Sequence, residues 1–113
     1  MHELGLTDAM VRMLEGILEK EHLEGARSVT VEVGELSGVV PKFLSECWDA
    51  VVPGTRFSDT VLKIETVPGL AKCQDCGEPC RAALNDLRCS NCGSAKLLPM
   101  SGRDMTIKEM EAY

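Results

Sequence analysis

Four cysteines stand in two matched pairs, Cys73-Gln-Asp-Cys76-Gly and Cys89-Ser-Asn-Cys92-Gly, with twelve residues between the pairs. A C-x-x-C pair makes a tight turn that points two sulfurs at one ion. A glycine after the second cysteine lets the backbone take a positive φ there. Two such turns make a closed four-sulfur cage, which suits tetrahedral Zn(II). A closed cage leaves no coordination position for a substrate water, so the expected zinc is structural rather than catalytic. Redox-active dithiols and disulfides are the competing readings of the same spacing. Paired C-x-x-C-G turns also occur around iron in rubredoxin-like sites, but those sit against an aromatic cluster. Residues 69–102 contain no Phe, Tyr or Trp, so zinc is preferred. Cys80, four residues past Cys76, reads as a bystander thiol, with a spare ligand during metal exchange as the alternative. Cys47 reads as a small buried hydrophobe on a helix.

The start of the chain, Met1-His2-Glu3, offers different donors. Met1 supplies a free α-amine, His2 an imidazole, and the His2 amide nitrogen lies between them. Together they can form two fused chelate rings, nitrogen-rich and close to planar. Planar nitrogen sets suit Ni(II) or Cu(II) better than Zn(II). Glu3 can accept a hydrogen bond from the imidazole, or offer an oxygen or its own amide. By residue type alone, an incidental surface histidine is the commoner case. His22, in K-E-H-L-E-G, reads as a solvated residue at a helix end.

The chain of 113 residues has a formal charge of -6, one Trp, one Tyr and two Phe. That length suits one ordinary domain with a small appendage, and a core of Val, Leu, Ile and Met. The acidic balance argues against a nucleic-acid binder, which needs a basic patch to displace counterions. It also argues against anchoring to an anionic membrane. No apolar run is long enough to span a bilayer, and no signal peptide is evident. The expected compartment is the cytoplasm, where thiols stay reduced, and this favours metal binding over disulfides for the six cysteines. No nucleophile–base pair, phosphate loop or open catalytic metal site is evident, so the chain does not read as an enzyme.

Several elements must position these groups. Residues 6–22 carry Leu6, Met10, Met13, Leu14, Ile17 and Leu18 at helical spacing, with Thr7 or Asp8 as a cap and Gly25 past the end. Val29, Val31 and Val33 alternate with Thr30 and Glu32, the pattern of a half-buried strand. Pro41 suits a first helical position, and Phe43, Leu44, Cys47, Trp48 and Val51 share one face of a second helix. Strands follow at about 60–67, with Leu62 and Ile64 on one face, and from Met105, which shares a side with Ile107. The predicted fold is α/β, of the α+β type: two helices on a small three-stranded sheet, with an inserted zinc-ribbon-like module. The expected boundaries are a core of 1–68 and 103–113 and a metal module of 69–102.

M-H-E at the start, the V-E-V-G-E-L-S-G-V stretch and the late pair of C-x-x-C turns resemble the HypA/HybF family of hydrogenase nickel-incorporation proteins. The resemblance covers essentially the whole chain. It implies a nickel metallochaperone that carries Ni(II) toward [NiFe]-hydrogenase. By the resemblance, the nickel site falls on His2 with the Met1 amine, and Glu3 as a further contributor. The zinc site falls on Cys73, Cys76, Cys89 and Cys92. The implied partners are a nickel-handling maturation GTPase and the [NiFe]-hydrogenase large subunit; some relatives also serve urease. Some relatives carry an acidic residue just before the second helix. Val40 stands there in this chain, so no nickel ligand is assigned from that turn. Monomer and homodimer both remain open. A zinc-ribbon adaptor with an incidental M-H-E, and a rubredoxin-like electron carrier, are the alternative readings.

Overall fold

The computed structural model describes residues 2–82 and 86–113, apart from the His2 side chain. Helix α1 (His2–Lys20) begins four residues earlier than its apolar periodicity suggests. Its buried arc is Glu3, Thr7, Met10, Val11, Leu14 and Leu18. Met13 and Ile17, expected on the buried stripe, are 59% and 39% exposed. The helix is rolled so that Thr7 and Val11 face inward in their place. Thr7 does not cap the helix. Its hydroxyl lies inside it and donates to the Glu3 carbonyl at 2.7 Å, which lets a polar side chain be buried. Gly25 does not close the far end either. His22 takes the left-handed conformation (φ 56°). The Leu23 N–H reaches the Leu18 carbonyl at 2.8 Å and the His22 N–H reaches Glu19 at 3.3 Å, a Schellman closure.

Strand β1 (Ala26–Gly34) follows, then helix α2 (Pro41–Val51) and strand β2 (Val61–Val67). Strands β3 (Leu70–Cys73), β4 (Pro79–Arg81) and β5 (Leu97–Pro99) lie within the cysteine-bearing segment, and β6 (Met105–Ala112) comes last. One three-stranded sheet has the order β2-β1-β6 and a second has β4-β3-β5. The strand expected to be half buried is central in its sheet, and both of its faces are covered. Val29, Val31 and Val33 are buried as expected, and so are Ser28 and Thr30.

The chain divides into two compact units. The first is Met1–Val31, Val39–Glu65 and Ile107–Tyr113; the second is Glu32–Gly38 and Thr66–Thr106. In the first unit α1 packs on α2. Leu44, Cys47 and Trp48 are the buried residues of α2, while Phe43 is exposed. The Trp48 indole N–H donates to the Thr60 carbonyl at 3.2 Å, and its ring lies 6.1 Å from that of Phe57. Phe57 is fully buried, although it sits in a turn-rich stretch with no periodicity to mark it.

In the second unit β3 pairs antiparallel with β4 (Ala71 opposite Cys80) and with β5 (Cys73 opposite Leu97). Its apolar core is small: Ala71, Cys80 and Ala82, with Leu36 and Leu97 against them. The V-G-E-L stretch is tied to this unit by backbone bonds. Gly34 N–H donates to Asp104, Glu35 N–H to Val67 and Leu36 N–H to Gly102, at 2.7–3.0 Å. A Cβ on Gly34 would fall 2.1 Å from the Gly102 carbonyl oxygen, so only glycine fits there. The Glu35 carboxylate accepts the Gly69 N–H at 2.7 Å and the Arg81 guanidinium at 2.7 Å on each oxygen.

Candidate metal centres

The two C-x-x-C turns have the same backbone. The Gly77 N–H donates to the Cys73 carbonyl and the Gly93 N–H to that of Cys89, each at 2.9 Å. Gly77 and Gly93 have φ of 79° and 78°, the positive values expected of them. The Cys76 N–H points at the Cys73 sulfur (3.5 Å) and the Asn91 N–H at the Cys89 sulfur (3.4 Å). N–H groups aimed at a sulfur favour its charged form.

The fold brings the turns together. Cys73 Sγ lies 3.6 Å from Cys92 Sγ, and Cys76 Sγ lies 3.6 Å from Cys89 Sγ. All four sulfurs fall within 4.8 Å of one another. A tetrahedron with metal–sulfur bonds of ~2.3 Å spaces its sulfurs by about 3.8 Å, so the cluster has the size of a single-ion cage. None of the six cysteines, all of them among the described residues, is joined in a disulfide. Four soft, adjacent sulfurs fit Zn(II) in number, type and spacing.

The electrostatics of the cage are uneven. The Cys76 N–H is the main cause that holds the Cys73 thiol down to about 6. The N–H groups of Cys92 and Asn91 lower Cys89 as well. At Cys92 the Ser94 N–H acts in the same sense, but the sulfurs of Cys73, Cys76 and Cys89 outweigh it and push the thiol up to about 12. Thiols this close oppose one another's ionisation and a bound cation favours it, so metal binding releases protons.

Other groups lie elsewhere. Cys80 sits on β4 opposite Ala71, in the small core and outside the four-sulfur group. Cys47 is buried on α2, as its spacing suggests. His22 closes α1. One bond of the cage region was not foreseen: the Ser94 hydroxyl donates to the Asp75 carboxylate, joining the two turns. Its only sequence signal was an acid inside one C-x-x-C pair and a hydroxyl just past the other.

At the chain start, His2 opens α1; Met1 and the His2 side chain lie outside the described residues. Glu3 is 6% exposed, and its Oε2 accepts the Val40 N–H at 3.3 Å. Val40 is the N-cap position of α2, has no side-chain cap of its own and precedes Pro41. Glu3 thus caps a second helix from the first turn of α1. A non-capping valine ahead of Pro41 was the available hint.

A small α+β protein with four sulfurs clustered on paired turns belongs to the class of proteins able to bind a metal ion. Comparison with known proteins narrows the class. Residues 1–112 match the family described as hydrogenase/urease nickel incorporation, metallochaperone, HypA. The chain belongs to the HypA family, whose members are maturation factors and not enzymes. It is 34% identical to the hydrogenase maturation factor HypA of Albidiferax ferrireducens over 111 residues, covering 98% of each chain. It is 38% identical to that of Trichormus variabilis over 111 residues, covering 98% of this chain and 95% of the relative. The fold matches the solution structure of the Ni metallochaperone HypA from Helicobacter pylori (TM-score 0.66, 20% identity, 97% and 96% covered). It also matches a second HypA solution structure (TM-score 0.70, 21% identity, 100% and 97% covered).

Proposed function

We propose that this chain binds Ni(II) at its N-terminus and hands it on during [NiFe]-hydrogenase maturation, while Cys73, Cys76, Cys89 and Cys92 hold a structural Zn(II). The observation that carries this reading is the family match over residues 1–112, which takes in both M-H-E and the cysteine pairs. The nickel donors are the His2 imidazole, the Met1 amine and the amide between them, with Glu3 contributing beside them. The first N–H groups of a helix have no intrahelical partner, so a first-turn amide is free to lose its proton to a metal. Opening so terminal a site disrupts little of the fold, which suits an ion that must be given up. The amine and imidazole must also be deprotonated, so nickel affinity falls in mild acid.

The core of 1–68 and 103–113 carries the nickel site and 69–102 the zinc. Zinc there supplies the cross-link that a segment with so small an apolar core needs. The partners follow from the cargo: a nickel-handling GTPase of the maturation machinery and the hydrogenase large subunit, met in the cytoplasm. No helix of the described residues is long and apolar enough to cross a membrane.

Calorimetric nickel titration tests the reading on three proteins: the native chain, a chain with an N-terminal tag, and His2→Ala. Tag and substitution should each weaken nickel binding strongly and leave zinc content unchanged. If the tagged chain binds nickel as tightly as the native one, the amine is not a ligand. If His2→Ala does so too, the terminus is not the site.

A further inference from the structure

We propose that Asp75 and Ser94 are positioning residues for the zinc cage, a cross-link that fixes how one C-x-x-C turn docks on the other. This rests on the metal reading above. Asp75 lies inside the first turn, between Cys73 and Cys76, and Ser94 follows the second turn, two residues past Cys92. The Ser94 hydroxyl donates to the Asp75 carboxylate and accepts the Lys96 N–H at 3.0 Å. The Ser94 carbonyl accepts the Cys89 N–H at 2.8 Å. Ser94 therefore binds the first turn through its side chain and the second through its backbone. Beside it, the Gln74 N–H donates to the Lys96 carbonyl at 2.8 Å, a second tie between the same segments.

Each turn is shaped by its own hydrogen bonds, and those bonds do not set the angle between the turns. A tetrahedral cage needs that angle, because two sulfurs come from each turn. The Asp75–Ser94 bond is at the surface, where a side-chain hydrogen bond adds little to folding. Its place between the ligand pairs makes alignment its main effect. Groups that orient metal ligands through hydrogen bonds typically change metal affinity by about 10–100-fold when removed.

The test uses the full native chain loaded with zinc, with transfer of zinc to a chromophoric chelator and the absorption of the Co(II)-substituted protein as readouts. Asp75→Ala and Ser94→Ala should each weaken zinc retention by about 10-fold or more, and the double variant should be no worse than the weaker single one. Asp75→Asn keeps an oxygen acceptor and should stay near the parent. Thiolate-to-Co(II) bands should persist in all variants, because the four ligands are intact. Parental zinc retention in both alanine variants, or losses that multiply in the double variant, would overturn the proposal. If the unaltered chain shows no thiolate-to-Co(II) bands, the metal reading itself falls, which is a different result from normal bands with unchanged retention in the variants.

Discussion

The Glu3 carboxylate reaches the backbone N–H of Val40 at 3.3 Å, although 37 positions separate them in the chain. One carboxylate thus serves two helix starts, as an acid in the first turn of α1 and as the cap of α2. Both ends carry unpaired N–H groups and a positive dipole end, which a negative charge stabilises. Glu3→Ala should cost about 0.5–2 kcal/mol, the usual range for a lost N-cap. Glu3→Gln, which keeps an oxygen acceptor, should cost less. Urea unfolding of the three proteins checks this, and equal midpoints would show that the contact is not a cap.

Cys73→Ser should leave the cage incomplete. The second unit has little apolar core to fall back on, so its amide protons should exchange faster while those of α1 and α2 keep much of their protection. Zinc analysis and hydrogen exchange measure both parts. Full zinc occupancy with unchanged protection would count against a structural metal.

Trp48 is 2% exposed and hydrogen-bonded to the Thr60 carbonyl. Trp48→Ala should destabilise the protein by about 3–5 kcal/mol. Native tryptophan emission should be blue-shifted. A red-shifted, freely quenched spectrum would contradict the burial.

Glu35 predicts a pH dependence. The Arg81 guanidinium, then the Gly69 N–H, hold its carboxyl below the ordinary value of 4.5. A carboxyl lowered in the folded state stabilises the fold above its unfolded value and loses that contribution as pH falls through the folded one. The stability difference between the parent and Glu35→Gln should therefore be constant at pH values well above 4.5 and shrink below it. A difference that grows toward acid would have the wrong sign for this clasp.

Much of this was legible along the chain because the governing rules are local. A C-x-x-C-G turn is a short-range object, so spacing alone located both turns, their positive-φ glycines and the four sulfurs. Alternation located β1 through Val29, Val31 and Val33, and the stripe of α2 placed Leu44, Cys47 and Trp48 inside. Met1 and the His2 side chain, expected as nickel donors through the resemblance to the HypA/HybF family, lie outside the described residues.

Other features depended on partners far away in sequence. Periodicity placed α1 but did not fix its roll to within one residue, so Met13 and Ile17 were expected inside where Thr7 and Val11 are found. It missed the helix start because the opening residues Glu3 and Thr7 are polar and are buried by a backbone bond and by Val40. Ser28 and Thr30 alternate like solvent-facing residues, yet a central strand has neighbours on both sides. The contacts of Glu3 with Val40, Glu35 with Arg81 and Asp75 with Ser94 span 37, 46 and 19 positions. The sequence determined which residues could cap, clasp or ligate. The tertiary fold decided which of them met, because a hydrogen bond acts over about 3 Å of space and carries no memory of distance along the chain.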